Sequence, residues 1–424
     1  MAAHSPHAHA LPRAFHVLIA AQFCSALADN ALLIVCVALL LDQGAPGWWA
    51  PLLKFSFTIA YVVLAPCVGA WADAVKKGRM MLAMNLVKVL GLALLLLGSS
   101  PLLAMTVVGV GAAAYAPAKY GLVTELVPAR GLVAANGWIE VTTVCAVVLG
   151  TVLGGFLISP WARGAGLQLL PGAAALTLSL VSLLVLYGLA ALLNLGIPDS
   201  GARYPGNPLR LRPMVRGFAD AQRRLWADSA GALSMAVTTL FWGAGATLQF
   251  IVLKWAEVQL GLPLDKGAIL QGMVAVGIAL GAVTAARFVP LKKSLQVLPF
   301  GVAMGFVVIL MVFVHSAAMA YVLCIIIGAM AGYFVVPMNA LLQHRGHVML
   351  SAGHSIAVQN FNENLNILIM LGLYALMIRS EFSINTVIVM FGLFVSGTMA
   401  LVMIWNRSNH RRQNLDHLIG EAKH

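Results

Sequence analysis

The sequence predicts an all-α membrane protein of about twelve transmembrane helices in two pseudo-symmetric six-helix halves. Three observations carry that expectation: a composition too apolar for a water-soluble particle, apolar runs long enough to cross a bilayer, and positive charge concentrated in the tails and alternate loops.

Of 424 residues, 61% are apolar and only 9% are charged, so polar side chains cannot coat a particle of this size and lipid must serve as its main solvent. Runs such as Phe15 to Leu41, Val133 to Ile158 and Ser316 to Leu342 each reach the roughly 20 residues that a helix needs to cross the hydrocarbon layer. Lipid offers no partner for backbone polar groups, so these segments are helices.

The net charge of +12 comes from 26 Lys+Arg against 14 Asp+Glu, and 19 of the 26 fall in the tails and alternate loops. The main clusters are Lys76, Lys77 and Arg79; the six arginines from Arg203 to Arg224; Arg287, Lys292 and Lys293; and Arg407, Arg411 and Arg412. This bias predicts that those loops and both termini are cytoplasmic. Nucleic acid is not an expected partner, because no basic segment is interleaved with aromatics in a foldable domain. Cys24, Cys36, Cys67, Cys145 and Cys324 lie in apolar spans without a C-x-x-C pair, and read as small core residues, not a disulfide framework or zinc site. The start, with His4, His7 and His9 before Arg13, lacks a signal-peptide pattern and reads as a solvated tail. No metal or cofactor is expected.

Apolar length, with charge, Gly and Pro as punctuation, gives spans at 14–41, 49–71, 80–98, 101–127, 132–158 and 168–197, then 229–256, 267–289, 295–314, 317–342, 351–377 and 383–405. The expected units are 1–197, a cytoplasmic linker 198–228 carrying Pro205, Pro208 and Pro213, and 229–424 with its tail. The units resemble each other: Gly111 to Lys119, around Tyr115 and Pro117, aligns with Gly328 to Asn339, around Tyr333 and Pro337, and Lys119 then faces Asn339. Such parallel repeats belong to the major facilitator architecture, whose substrate site lies between the halves at mid-membrane. Gly69-Ala-Trp-Ala-Asp73-Ala-Val-Lys-Lys77-Gly78-Arg79 resembles that family's loop signature, apart from Ala74, where a basic residue is usual. Gly69 then permits close helix approach, and Asp73, Lys77 and Arg79 form a gating charge cluster. The bland alternative is a basic loop that only sets topology.

An ionisable group at bilayer depth costs about 2.5–3.5 kcal/mol and is a functional candidate by default. Asp29, followed by Asn30, stands mid-way along the first span and should face the central cavity. Glu363 lies among Gln359, Asn360, Asn362, Asn364 and Asn366; Gln359, Asn362, Glu363 and Asn366 share one helical face, expected to line the cavity, with an interhelical hydrogen-bond network as the alternative. Lys119 and Glu140 either line the cavity or pair with each other across neighbouring helices. Lys54 and Lys254 at the outer interface and Lys88 at the inner one are expected to snorkel. Opposed charges in an apolar cavity suit an amphiphilic or zwitterionic substrate: Lys holds a phosphate, and Asp or Glu an ammonium.

Several strings resemble the bacterial lysophospholipid transporter (LplT) family: Gln22-Phe23 to Leu33, around Asp29-Asn30; Gly109 to Gly121, around Tyr115 and Lys119; Phe241-Trp242-Gly243-Ala244-Gly245; Val336-Pro337 to Gln343; and Ala357 to Asn364. The resemblance implies inward transfer of lysophospholipids, chiefly lysophosphatidylethanolamine, for reacylation by a cytoplasmic acyltransferase and acyl-carrier-protein synthetase. It also implies that Asp29, Asn30, Lys119 and Glu363 belong to the site; Tyr115, Glu140, Gln249, Asn339, Gln359 and Asn360 complete the expected set. Where the family often has an Arg in the seventh span, this chain has Gln249, and Lys254, five residues on and about 140° around the helix, cannot take its place. The protein is expected to act as a monomer. The rival function is a proton-coupled exporter of drugs or other amphiphiles. An enzyme is not expected: no His precedes an Asp in the H-x-x-x-x-D acyltransferase spacing, and no Gly-Lys forms a P-loop.

Overall fold

The computed structural model describes residues 12–45, 49–169, 175–202, 210–262 and 264–412. The histidine-bearing N-terminal tail, Arg203, Pro205, Pro208 and Lys423 lie outside them. The described residues contain helices and no strand. The first group is α1 (Arg13–Asp42), α2 (Trp49–Val63), α3 (Ala65–Ala74), α4 (Lys77–Leu96), α5 (Pro101–Leu126), α6 (Leu132–Leu157), α7 (Pro160–Leu169) and α8 (Thr177–Leu195). After α9 (Leu211–Ala227) come α10 (Ser229–Val258), α11 (Leu264–Phe288), α12 (Leu298–Ile309), α13 (Ala317–Met349), α14 (Ala352–Arg379) and α15 (Ile384–Arg412). Among the described residues, eleven helical stretches are long and apolar enough to span a bilayer, one of them the run Leu291–Phe313 that contains α12, or up to 12 if the bent pair α2–α3 counts as one span. Hereafter the basic end is the one carrying the α3–α4 turn and α9; the other is the far end.

Three departures from the sequence expectation have physical causes. The second span breaks at Leu64 with a bend of 64°, because Pro66 in the first turn of α3 supplies no N–H to continue α2. The expected span 168–197 is a short α7 followed by a later-starting α8. The linker contains α9, whose only proline, Pro213, sits in the first turn, where it is tolerated.

Small residues bring the helices together. Gly277 and Gly281 on α11 face Gly328 and Gly332 on α13, so close that a Cβ on any of them would run into the facing backbone; this is the small-xxx-small packing of membrane helices. On α6, Gly150 lies against Leu27 and Asn30 of α1, and Gly154 against Ala31 and Ile34, which fixes the rotation of α1 and the heading of Asp29. The cysteines are free; Cys36 and Cys324 are buried, as expected of core residues, whereas Cys145 is exposed.

Candidate functional site

Asp29 is a mid-helix carboxylate held by three hydrogen bonds from two donor groups. Lys88 Nζ on α4 lies 2.9 Å and 2.7 Å from its two oxygens, and the Tyr187 hydroxyl on α8 donates at 2.7 Å. Lys88 also donates to Ser25 Oγ at 2.9 Å, and Ser25 donates onward to Asn85. Its ammonium lies 5.5 Å and 5.7 Å from the Tyr115 and Tyr187 ring centroids, within cation–π range. The lysine side chain is only 2% exposed and that of Asp29 16%. The expectation that Lys88 snorkels is therefore overturned: it points inward, because a charge with a buried counter-ion and two aromatic faces has no reason to reach for the interface. Asn30 turns away, donating to its own helix at Ala26 O, 2.8 Å.

A second chain of polar groups crosses the bundle toward the basic end. Lys119 Nζ donates to Gln22 Oε1 at 3.2 Å and lies 4.1 Å from the Tyr120 ring centroid. Gln22 in turn donates to Thr142 Oγ1 at 2.8 Å, linking α5, α1 and α6. Lys119 thus bonds to Gln22 and not directly to Glu140. Glu140 is buried and makes no hydrogen bond among the described residues, yet it is close enough to feel the charges of Lys119 and Glu363.

On α14, Gln359 Nε2 donates to Glu363 Oε1 at 2.8 Å and to Asn339 Oδ1 of α13 at 3.1 Å. The rest of the polar face departs from the cavity-lining expectation. Asn362 exchanges two 3.0 Å hydrogen bonds with Gln222 of α9, and Asn366 donates to Thr239 O of α10 at 2.8 Å. These amides knit helices together, as apolar surroundings require of any buried amide. Asn360 accepts from Asn364 through its carbonyl. Toward the far end of α10, exposed Gln249 pairs with Gln271 of α11. Lys254 pairs with Glu257 at 3.0 Å, and Lys54 is exposed, 5.7 Å from the Phe57 ring centroid.

The basic end is closed by a compact set of bonds between early and late helices. Asp73, at the end of α3, accepts from Gly353 N at 2.9 Å, from Ser351 Oγ and from His354 Nδ1 at 2.9 Å. Its carboxylate so caps the positive N-terminus of α14. Lys77 lies 3.9 Å from Asp73 and 2.7 Å from Glu125. A Cβ on Gly69 would lie 2.9 Å from His354 Cα, so glycine is what permits the approach of α3 to α14. Asn136 of α6 and Gln343 of α13 exchange two 2.9 Å bonds with their side chains fully inside. Arg79 is exposed and takes no part, making no ion pair among the described residues. No hydrogen bond or ion pair among the described residues joins the early to the late spans at the far end.

Residues 18–368 match the family model described as Major Facilitator Superfamily. The lysophospholipid transporter LplT of Yersinia enterocolitica is 43% identical over 371 residues, 87% of this chain and 88% of that protein. Its counterpart in Yersinia pestis is 45% identical over the same shares. The chain belongs to the lysophospholipid transporter family of the major facilitator superfamily. Among solved structures it resembles a bacterial homologue of the iron transporter ferroportin (TM-score 0.72, 16% identity, covering 93% of this chain and 100% of that one). It also resembles the E. coli fucose:proton symporter FucP (TM-score 0.70, 14% identity, covering 93% and 97%).

In this member of the lysophospholipid transporter family, the partner that sequence reasoning missed is Lys88. The signal was present: Met81, Asn85, Lys88 and Leu92 recur at i, i+4, i+7 and i+11 and are all buried, so Lys88 shares the inward face of α4 with another polar residue. Tyr187 and Asn136 were missed because each gives no signal as a lone polar residue, and Gln22 and Gln343 stand in the strings that resemble the family but were not assigned to the site; only the fold pairs them.

Proposed function

We propose that this transporter carries lysophospholipids, chiefly lysophosphatidylethanolamine, from the outer to the inner leaflet of a bacterial inner membrane by alternating access. The observation that carries this reading is the Asp29–Lys88 pair. Each member is the complement of one charge of a zwitterionic head group. An incoming ammonium takes the place of Lys88 on Asp29, and the freed lysine takes the phosphate as a point charge. The exchange conserves the number of charge pairs, so neither ion is left bare in a low-dielectric site.

Lys119, with Gln22 beneath it, and then Glu140 and Glu363 form the next polar steps toward the basic end. With that end cytoplasmic, as the positive-inside bias indicates, the closed set around Asp73 and Asn136–Gln343 makes this the outward-facing state. The halves 1–197 and 229–424 rock about the site. Asp73, Gly69 and Lys77 act as the gate, while the acyl chain trails between helices into lipid. Delivered lysolipid is the substrate of a cytoplasmic acyltransferase and acyl-carrier-protein synthetase. The transporter acts as a monomer with both termini cytoplasmic.

Uptake of labelled lysophosphatidylethanolamine by spheroplasts that lack their own transporter tests the reading. Chain-dependent uptake, lost in Asp29→Ala at matched expression, is the expected result, and equal uptake by wild type and Asp29→Ala refutes the site. A second reading, proton-coupled export of amphiphiles, is favoured by Glu140 and Glu363, two buried carboxylates beyond the Asp29–Lys88 pair. Steep dependence of transport on the proton gradient distinguishes it.

A further inference from the structure

Helix α9 has three faces. Met214, Ala221 and Leu225 are buried, and Phe218 meets Phe361 of α14 with ring centroids 5.4 Å apart. This stripe, at i, i+4, i+7 and i+11, docks α9 onto the spanning helices. On the next face round the helix Leu211 is 68% exposed, Val215 45% and Trp226 37%, beside exposed Ala219 and half-buried Gln222, the one polar residue among them. Bordering it on the side away from the bundle are Arg212, Arg216 and Arg223, at i, i+4 and i+11, all exposed. Among the described residues none of these arginine side chains makes an ion pair or hydrogen bond.

We propose that α9 lies in the head-group region of the leaflet at the basic end, with Leu211, Val215 and Trp226 at the acyl boundary and Arg212, Arg216 and Arg223 on anionic phospholipid head groups. An uncovered apolar row beside an unpaired arginine row is the pattern of an interfacial helix. Trp is the side chain enriched at that depth, and guanidinium groups take phosphate bidentately. A helix held against membrane-spanning segments by its buried face is already at the bilayer surface, so little ordering remains to be opposed.

The attachment bears on the gate. Gln222 grips Asn362 of α14. A Cβ on Gly217 would lie 3.7 Å from Nε2 of His354, whose other ring nitrogen meets Asp73. Anionic lipid on α9 thus braces the N-terminal end of α14 in the closed arrangement.

The test uses the full chain reconstituted in vesicles of phosphatidylethanolamine containing brominated phosphatidylglycerol or brominated phosphatidylcholine. The Trp226 signal is the fluorescence difference between wild type and Trp226→Phe. Quenching of that signal is expected to be at least about twofold greater with the anionic lipid. The excess should vanish in an R212Q/R216Q/R223Q variant and at high salt, where surface attraction is screened. Those glutamines are surface changes that keep the helix, so the variant folds, and its unaltered melting curve confirms as much. Equal quenching by both lipids overturns the anion recognition. Quenching by neither overturns the interfacial placement and points instead to a soluble partner on this face.

Discussion

Replacing Lys88 with methionine keeps the stem of the side chain and deletes its charge. Asp29 then retains one donor, the Tyr187 hydroxyl, in a site where the pair is 2% and 16% exposed. Breaking a buried ion pair from one side costs about 3–5 kcal/mol, because the remaining charge is left without compensation. At 1.4 kcal/mol per factor of ten, this is at least about a hundredfold in the folded-to-unfolded ratio. Removing both charges, in Asp29→Asn with Lys88→Met, removes that penalty. The double variant is therefore expected to recover at least about half of the lost stability, a coupling of the size seen for groups in direct contact. Transport is expected to stay abolished in the double variant, since neither head-group charge has its complement. Equilibrium unfolding in mixed micelles measures the first effect and uptake into proteoliposomes the second. A loss below about 1 kcal/mol in Lys88→Met, the size typical of an exposed pair, refutes the burial argument. A double variant as unstable as the sum of the singles refutes the pairing.

Gly69→Val forces α3 away from the backbone of His354 and should open the basic end, seen as faster thiol labelling of Gln343→Cys from that end. Asn136→Ala leaves the buried Gln343 amide unpaired and should lower stability by about 1–3 kcal/mol, read as equilibrium unfolding in mixed micelles with Gln343 and Gly69 intact. Glu363→Gln keeps the Gln359 contact but removes the charge, and is expected to lower uptake at least about tenfold if the carboxylate stabilises a step of transport by some 1.4 kcal/mol. Gln249→Arg, beside Gln271 on the exposed far stretch of α10, adds a fixed cation on the entry side. It should tighten apparent substrate affinity by about fivefold at low salt, with the gain lost at high salt.

The apolar runs made the spans legible, because length and composition alone decide what crosses a bilayer. The break at Leu64 was hidden because Pro66 lies inside an unbroken apolar run. Helix α9 was hidden because three prolines and six arginines read as an irregular linker, although Met214, Ala221 and Leu225 already carried a helical repeat. Within the site, Asp29 and Glu363 stood out as ionisable groups where lipid tolerates none. The partner of Glu363, Gln359, was legible on the same helical face, but that of Asp29 was not, since Lys88 sits in a short span close enough to one end for snorkelling to look sufficient. The polar face of α14 was recognised, but periodicity cannot tell a cavity from a neighbouring helix, and Asn362 and Asn366 chose Gln222 and Thr239.

The most direct test of the central claim is substrate exchange at the Asp29–Lys88 pair. Infrared difference spectra of the reconstituted protein, with isotope-edited Asp29 carboxylate, report the cation bound to it before and after lysophosphatidylethanolamine is added. The account predicts a saturable shift of the Asp29 band with this zwitterion, paralleled by uptake and absent with a lysophosphatidic acid that lacks the ammonium. An Asp29 band that stays unchanged while transport proceeds contradicts it.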